Sequence, residues 1–451
     1  MHVITLETPS LGDRSYIVHD GASALVLDPQ RDVDRVLDAV AKTGATVTHV
    51  AETHVHNDYV SGGLVLARMT GATYVHAEAE PLRFDHHAVG DGDRFTVGTM
   101  EVEVVHTPGH TPHHLSYVVR VEDEAPAVFT GGSLLYGTVG RTDLISPEMR
   151  EELTRAQHRT AHRLASMLPD ETRVYPTHGF GSFCASAQSE GASDGTLRTE
   201  REINVALTVD DEDDFVERLV SGLSAFPAYY AHMGPLNLAG AVPVDLSPPA
   251  PVDPTELARR IHRGDWVVDL RQRRLFATEH LTGTIGIELA DNLSTYLGWL
   301  IPWGTPVTLL GESEEQVADA QRQLVRIGID RPMGASVGAG PGEWAPDHGR
   351  GSYAIGDFDG LAARHGGVVL DVRRPDELEA DGAIPDSVHV PIDEILRRMD
   401  EIPDEKLWVH CASGFRASIA ASLLDRAGYE VVLVDDEFAN AAGSGVTVEP
   451  S

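Results

Sequence analysis

The stretch Thr53-His54-Val55-His56-Asn57-Asp58-Tyr59 decides the fold of the first half of the chain. It directly follows an apolar segment, residues 47–51, which predicts a buried β-strand. Histidines that alternate on a loop at a strand end can aim their imidazoles at one point, and a carboxylate follows two residues later. Imidazole is the commonest protein ligand for zinc and also suits iron. The stretch therefore predicts a metal site at the end of a strand.

Two further histidines occupy the same kind of position. His110 lies in Thr-Pro-Gly-His-Thr after the predicted strand 102–105, and His178 lies in Tyr-Pro-Thr-His-Gly after the predicted strand 173–175. One loop histidine alone usually has only a structural role, whereas three separated strand-end motifs favour a shared metal. The candidate metal ligands are His54, His56, Asp58, His110 and His178.

These motifs, in this order, resemble the metallo-β-lactamase superfamily over residues 1 to about 185. Within it, the segments 129–135 and 140–144 look like the persulfide dioxygenase branch, which is close to glyoxalase II. The resemblance implies an αββα sandwich and one iron, with zinc as the alternative metal. It also implies that two histidines, here His54 and His110, bind the metal with one aspartate, and that Arg141 contacts the substrate.

Two positions depart from the pattern of the superfamily. Tyr59 stands where a second-metal histidine is usual, and Gly132 stands where the family has its carboxylate ligand. Three interpretations stay open. His56 joins the two matched histidines in a three-histidine site, or Asp58 or His178 supplies the missing ligand, or the site is degenerate and binds little metal. We expect the substitution Gly132→Asp to tighten metal binding, because it restores the family's carboxylate.

The second motif is the loop Cys411-Ala412-Ser413-Gly414-Phe415-Arg416, between a predicted strand and a predicted helix. Successive backbone N–H groups in such a loop form a cradle for an anion at a helix N-terminus, and the helix dipole favours a thiolate. With Asp371-Val372-Arg373 and Glu377 upstream, the motif resembles the active rhodanese domain over residues 353 to about 440. We therefore predict Cys411 and Arg416 as catalytic, and Ala412, Ser413, Gly414 and Phe415 as substrate-binding.

A duplication organises the second half of the chain. Asp269-Leu270-Arg271 repeats the pattern of Asp371-Val372-Arg373 about a hundred residues earlier, after a proline-rich linker at 245–254. The middle repeat also resembles rhodanese but has Gly311-Glu312-Ser313 in place of a cysteine loop, so we expect it to be catalytically silent. The predicted domains are 1–245, 250–345 and 350–445, the last two being doubly wound α/β domains.

Composition limits the partners. The formal charge is −35, which disfavours nucleic acid and anionic membranes as partners. The chain has no apolar run long enough to cross a bilayer and only 2 cysteines, and its first seven residues lead us to expect no signal peptide. These features together favour a cytoplasmic protein. The oligomeric state, including a homo-oligomer, stays open.

The predicted function is an enzyme of sulfur metabolism with two coupled activities. The metal domain oxidises a small thiol persulfide with O₂ to sulfite, and Cys411 carries sulfane sulfur to or from thiosulfate or sulfite. One rival is a glyoxalase II-like thioester hydrolase fused to a sulfurtransferase, although Tyr59 and Gly132 each remove a ligand that two metals would need. The other is a metal-poor first domain that only positions an active rhodanese.

Overall fold

The computed structural model describes residues 1–179, 181–186 and 195–450. The chain forms two compact units, one comprising Met1–Val244 with Val325–Gly328, and the other comprising Asp245–Leu324 with Ile329–Ser451. Among the helices of these described residues, none combines the length and the apolar character that a bilayer-spanning segment requires.

Two mixed β-sheets form the first unit. The first sheet has the strand order β1-β2-β3-β4-β5-β6, and the second has the order β11-β10-β9-β8-β7. The strands are β1 His2–Thr8, β2 Asp13–His19, β3 Ser23–Leu27, β4 Thr46–Ala51, β5 Thr73–Ala77, β6 His87–Val89, β7 Arg94–Val97, β8 Met100–His106, β9 Leu115–Arg120, β10 Ala127–Gly131 and β11 Arg173–Pro176. The helices are α1 Asp34–Ala41, α2 Gly63–Thr70, α3 Arg150–Met167, α4 Leu197–Ile203, α5 Val205–Thr208, α6 Glu212–Ser221 and α7 Tyr230–Ala239.

Alternating side chains along the strands build the layers of this unit. Leu25 and Leu27 of β3 point into a core between the two sheets, where they join Val104 and Tyr117 of the second sheet. The intervening Val26 points to the other face and packs with side chains of α1 and α2. Helices α3 and α6 cover the outer face of the second sheet in the same way. Because side chains alternate with period two, one strand serves both layers. The predicted αββα sandwich is confirmed.

The second unit contains two separate parallel sheets. Their strand orders are β14-β12-β15-β16 and β18-β22-β21-β19-β20. The first repeat comprises α8 Pro254–His262, β12 Trp266–Asp269, α9 Arg273–Thr278, β13 His280–Leu281, β14 Ile285–Gly286, α10 Leu293–Leu300, β15 Val307–Gly311, α11 Glu314–Arg326, β16 Gly334–Val337, α12 Pro341–Trp344 and β17 Arg350–Gly351. The second repeat comprises β18 Ala354–Gly356, α13 Phe358–Ala362, β19 Val368–Asp371, α14 Pro375–Asp381, β20 Val388–His389, β21 Leu407–His410, α15 Phe415–Ala427 and β22 Val431–Val434. The predicted division of this unit between residues 345 and 350 stays a prediction.

The duplicated Asp-x-Arg motif makes the same structure in both repeats. Arg373 Nε lies 3.0 and 3.1 Å from the carboxylate oxygens of Asp371, and Arg271 Nε lies at the same two distances from those of Asp269. Each guanidinium also donates to a later carbonyl, at 2.8 Å in one repeat and 2.9 Å in the other. All four side chains are buried. This Asp–Arg ion pair at the strand end is therefore common to both repeats, whether or not a cysteine loop follows it.

Candidate metal centre and cysteine loop

Three of the predicted ligands converge in the first unit. His54, His110 and His178 each follow the end of a strand, and one ring nitrogen of each lies within 4.8 Å of the others. Nε2 of His54 is 3.5 Å from Nε2 of His178. All three side chains are buried, and Nε2 of His110 makes no hydrogen bond to the described residues. A buried ring nitrogen without a partner is costly, so this nitrogen calls for a ligand that the polypeptide does not supply.

The opposite nitrogen of each ring is held by the protein. Nδ1 of His54 is 2.9 Å from the Thr53 hydroxyl, and Nδ1 of His110 donates to the Arg141 carbonyl at 2.7 Å. Nδ1 of His178 is 2.9 Å from the Asp13 carboxylate. Such partners fix the tautomer and the orientation of a metal-binding imidazole. The three side chains therefore fit a metal ion held through Nε2.

Burial sets the charge state of this cluster. Burial lowers the pKa of His54 well below its usual value, and the neighbouring imidazoles add to this effect. Burial likewise lowers the pKa of His110 to about 3. For His178, burial acts in the same direction, but the Asp58 and Asp13 carboxylates outweigh it and raise the pKa to about 9. At neutral pH, His54 and His110 thus present neutral rings, which is the form that binds metals.

His56 lies beside His54, with ring centroids 4.1 Å apart, and its buried Nδ1 makes no hydrogen bond to the described residues, whereas its Nε2 contacts a separate group of side chains. Its Nε2 lies 3.3 Å from the Asp28 carboxylate, 3.2 Å from that of Glu52 and 3.0 Å from the Tyr59 hydroxyl. Burial disfavours the charged ring, but the two carboxylates outweigh it and raise the pKa of His56 to about 10. The Tyr59 ring stacks on the imidazole, with ring centroids 4.3 Å apart. Tyr59 thus holds His56 among the carboxylates.

The geometry favours one of the three ligand sets that the sequence left open. The set with His56 beside His54 and His110 is not the one that converges, and His178 takes the third place. Asp58 lies 3.2 Å from Nδ1 of His178 and forms a second cluster with His56 and the same imidazole. Both oxygens of Asp58 lack a hydrogen bond to the described residues.

Gly132 lies directly beside the His110 imidazole. A Cβ built on it would lie 2.6 Å from Cγ and 2.9 Å from Nε2 of His110, and closer still to Cδ2. The imidazole therefore occupies the space that a carboxylate would need. A Cβ on the neighbouring Gly140, whose amide donates to the Gly132 carbonyl at 2.9 Å, would lie 2.8 Å from Nδ1 of the same ring. This geometry argues against the expectation that Gly132→Asp tightens metal binding, which stays a prediction, because a side chain there would have to displace the His110 ring.

The structure gives Arg141 a positioning role. Its guanidinium donates to the Asp143 carboxylate at 2.7 and 2.8 Å and to the carbonyls of Phe183 and Ser224, and it lies 4.6 Å from the Phe226 ring centroid. The residue is 2 % exposed. Its side chain is therefore held by the protein, and its predicted contact with substrate stays a prediction. Its carbonyl is the group that orients His110.

Sequence reasoning missed two residues around the cluster. His114 is buried, stacks on His54 with ring centroids 4.8 Å apart, and accepts a hydrogen bond from the Gly132 amide at 3.0 Å. Asn237 of α7 donates to the carbonyls of His56 and Tyr59 at 2.8 and 2.9 Å, which holds the histidine loop. The closely spaced His113-His114 pair was the available signal, but no spacing rule selected the second histidine.

The cysteine loop joins β21 to α15 as predicted from its pattern. Cys411 follows the strand and is 1 % exposed, and the Gly414 amide donates to its Sγ at 3.2 Å. Gly414 has a φ of 86°, in the left-handed region that favours glycine, and it precedes the first turn of α15. The loop thus directs the Gly414 N–H group at the thiol sulfur, just before a helix N-terminus.

Arg416 is held by a carboxylate beside this loop. Its guanidinium forms a paired contact with Glu377, one of whose hydrogen bonds is 2.6 Å long. Ala412 is tied through its carbonyl to the Phe438 amide at 2.8 Å. Ser413 is exposed, and Phe415 is half-buried. The predicted catalytic and substrate-binding residues of this loop therefore surround one thiol, and their roles stay predictions.

In the first repeat, the Gln316 side chain closes the loop that corresponds to the cysteine loop. Strand register pairs Leu310 with Asp269 as it pairs His410 with Asp371, so Gly311 takes the place of the cysteine. The Gln316 side chain accepts from the Glu312 amide at 2.7 Å and closes the loop. Three residues, 311–313, precede α11, whereas four residues, 411–414, precede α15. The first repeat therefore has neither the thiol nor an open cradle.

Comparison with known proteins agrees with this geometry. Residues 357–441 match the family model described as a rhodanese-like domain. The chain is 26 % identical over 242 residues to "Persulfide dioxygenase ETHE1, mitochondrial" of Homo sapiens, covering 53 % of this chain and 80 % of that protein. It is 32 % identical over 184 residues to the hydroxyacylglutathione hydrolase of Maricaulis maris, covering 38 % and 64 %. A crystal structure of a metallo-β-lactamase from Staphylococcus aureus superposes with a TM-score of 0.66 at 27 % identity, covering 75 % of this chain and 99 % of that one.

The chain is a metallo-β-lactamase-fold protein with a C-terminal rhodanese-like domain. Its N-terminal part matches the persulfide dioxygenase and glyoxalase II-like branches, as the sequence motifs predicted. This combination of domains supports an enzyme of sulfur metabolism. The metallo-β-lactamase fold and the histidine–carboxylate clusters support metal binding in the first unit.

Proposed function

We propose that this metallo-β-lactamase–rhodanese chain oxidises a small thiol persulfide at its metal centre and transfers sulfane sulfur through Cys411. The observation that carries the first activity is the convergence of His54, His110 and His178 with one buried ring nitrogen left unpartnered. The overall reaction is R-S-SH with O₂ and water giving R-SH, sulfite and two protons. One iron per chain, with zinc as the alternative, would supply the redox and Lewis-acid chemistry of this step.

The residues around the centre hold it in one arrangement. Thr53, the Arg141 carbonyl and Asp13 fix the three rings through Nδ1, so Nε2 of each faces inward. The second carboxylate, Asp58, lies 3.2 Å from Nδ1 of His178 and helps to hold that ring. Burial of all these groups excludes bulk water and keeps the polar contacts strong.

The second activity follows from the loop chemistry. The Cys411 thiolate attacks the outer sulfur of thiosulfate, the S–S bond breaks, and sulfite leaves with the bonding pair. Cys411 is then a persulfide. An acceptor such as cyanide or a thiol attacks its outer sulfur and regenerates the Cys411 thiolate. The Gly414 amide, 3.2 Å from Sγ, stabilises the anionic sulfur in both states. Glu377 keeps Arg416 in position beside the loop.

A glyoxalase II-like thioester hydrolase is the second candidate. The observation that favours it is the second cluster, His56, Asp58 and His178, which shares a residue with the first. Hydroxyacylglutathione hydrolases are among the relatives of this part of the chain. Against it, Tyr59 occupies the position of a second-metal ligand and holds His56 toward Asp28 and Glu52. We therefore place persulfide oxidation first.

Metal analysis combined with two assays tests the proposal. We expect about one metal per purified chain, O₂ uptake on glutathione persulfide, and loss of both in His110→Ala. His87→Ala, at an exposed histidine of the same unit, serves as the matched control and should behave like wild type. Two tightly held zinc ions per chain, with hydrolysis of a glutathione thioester and no O₂ uptake, would replace this proposal by the hydrolase.

A further inference from the structure

The silent repeat contacts the cysteine loop of its neighbour within the second unit. The Tyr296 ring of α10 lies against that of Phe415, with centroids 5.6 Å apart. At the start of α9, the Arg273 guanidinium donates to the Ser413 carbonyl at 3.4 Å. The repeat without a cysteine therefore forms part of the wall around Cys411.

A buried carboxylate lies directly beside this loop. Asp435 follows β22 and is 8 % exposed, and a Cβ on Gly414 would lie 3.3 Å from its Cγ and overlap its carboxylate. An unpaired negative charge at this place would repel the anions that the loop is built to hold. The carboxylate therefore needs a counter-charge for the loop to work.

Two arginines of the silent repeat supply that counter-charge. Arg273 Nε lies 2.6 Å from one oxygen of Asp435, and Arg274 pairs with the other. Arg273 also pairs with Glu288 of its own repeat. The charged and titratable groups that surround the loop from all packed elements are Arg416, Glu377, Arg374, Tyr296, His410, Arg273, Arg274, Glu288 and Asp435.

We infer that Arg273 is a positioning residue for Cys411, supplied by the silent repeat. It neutralises Asp435 and ties the Ser413 carbonyl, so that anionic sulfur compounds reach the thiol. This inference rests on the proposed role of Cys411 as the sulfurtransferase nucleophile. In this way a repeat without a cysteine of its own contributes a residue to the cysteine loop of its neighbour.

Alkylation of Cys411 with two reagents of different charge tests the inference in the full-length protein. In Arg273→Gln, we expect the rate with anionic iodoacetate to fall by about fivefold, the upper range for one partly screened charge. The rate with neutral iodoacetamide should change by less than about twofold. The KM for thiosulfate should rise in parallel, with kcat changed less. Peptide mapping by mass spectrometry assigns the label to Cys411 and not to the buried Cys184.

Two further variants separate charge from structure. Arg273→Gln leaves Arg274 as the one arginine of this pair that still offsets Asp435. Adding Asp435→Asn removes the carboxylate and should restore the iodoacetate rate to within about twofold of wild type. Arg259→Gln removes an exposed arginine that pairs with Glu256 on its own helix, so it should leave both rates unchanged. Equal loss with both reagents, no loss with either, or no rescue by Asp435→Asn would overturn the inference. Thiosulfate transfer that persists in Cys411→Ser would instead overturn the proposed function, whatever the alkylation rates show.

Discussion

The substitution Gly132→Ala isolates the steric demand of the metal centre. Gly132 is not among the glycines with positive φ, so alanine adds no backbone strain and only a methyl group. That methyl would lie 2.6 Å from Cγ of His110, whereas carbon atoms in contact prefer at least about 3.5 Å. The ring must therefore move by about 0.9 Å or more.

The surroundings of His110 do not permit such a move without loss. Its Nδ1 is held by the Arg141 carbonyl at 2.7 Å, and the buried rings of His54 and His178 lie beside it, with centroids 4.8 and 5.1 Å from its own. Metal–ligand distances tolerate deviations of only about 0.2 Å, so the displaced ring stops being a ligand. We expect metal affinity to fall by about 100-fold or more. Overpacking should also lower the free energy of unfolding of the metal-free protein by about 1–3 kcal/mol.

Two measurements check this prediction. Competition with a chelator, followed by elemental analysis, gives the metal affinity, and urea denaturation of the metal-free protein gives its stability. Gly222→Ala is the matched control in the same unit, because a Cβ there meets its nearest atoms at an ordinary 3.6 Å. Wild-type affinity and unchanged stability in Gly132→Ala would refute the reasoning, as would tighter metal binding in Gly132→Asp.

Two more predictions address the cysteine loop and the support of the metal ligands. Cys411→Ser should abolish thiosulfate-to-cyanide sulfur transfer without changing the circular dichroism spectrum or the unfolding midpoint, and substantial residual transfer would move the activity to another residue. Asp13→Asn removes the carboxylate that holds His178, so metal affinity should fall by about 10- to 100-fold while the other two rings stay in place. Unchanged affinity by chelator competition would show that His178 is not a ligand.

Local patterns in the sequence were sufficient to predict the layers and the strand-end sites. Alternating apolar residues specify strands with two buried faces, and three of these strands end directly before a histidine motif. The strand-end motifs bring His54, His110 and His178 together because the ends of neighbouring strands meet at one edge of the sandwich. Such relations depend only on period and position, which a single sequence contains.

The directions of individual side chains could not be predicted in the same way. His56 turns toward Asp28 and Glu52, which come from the ends of β3 and β4, and no local rule connects these three residues. The surroundings of Gly132 and Arg141 were out of reach for a related reason. Each was compared with a family position, whereas the ring beside the glycine and the partners of the guanidinium decide its role.

The contact of Arg273 with the cysteine loop was still harder to predict from the sequence. It lies in a repeat without a cysteine, two residues after Arg271, where the sequence suggests only a run of basic residues. Its relevance to Cys411 arises from packing between two repeats that are distant along the chain.

The Asp–Arg ion pair that both repeats share bears on how a reactive loop could be introduced into the first repeat. Because Asp269 and Arg271 keep the same distances as Asp371 and Arg373, the strand end stays rigid whether or not a reactive loop is attached to it. A strand end that keeps its structure without a reactive loop should tolerate replacement of the loop that follows it. Transplanting residues 411–416 as a whole into the first repeat, with Gln316 shortened to make room, is thus a more promising design than placing a lone cysteine at Gly311.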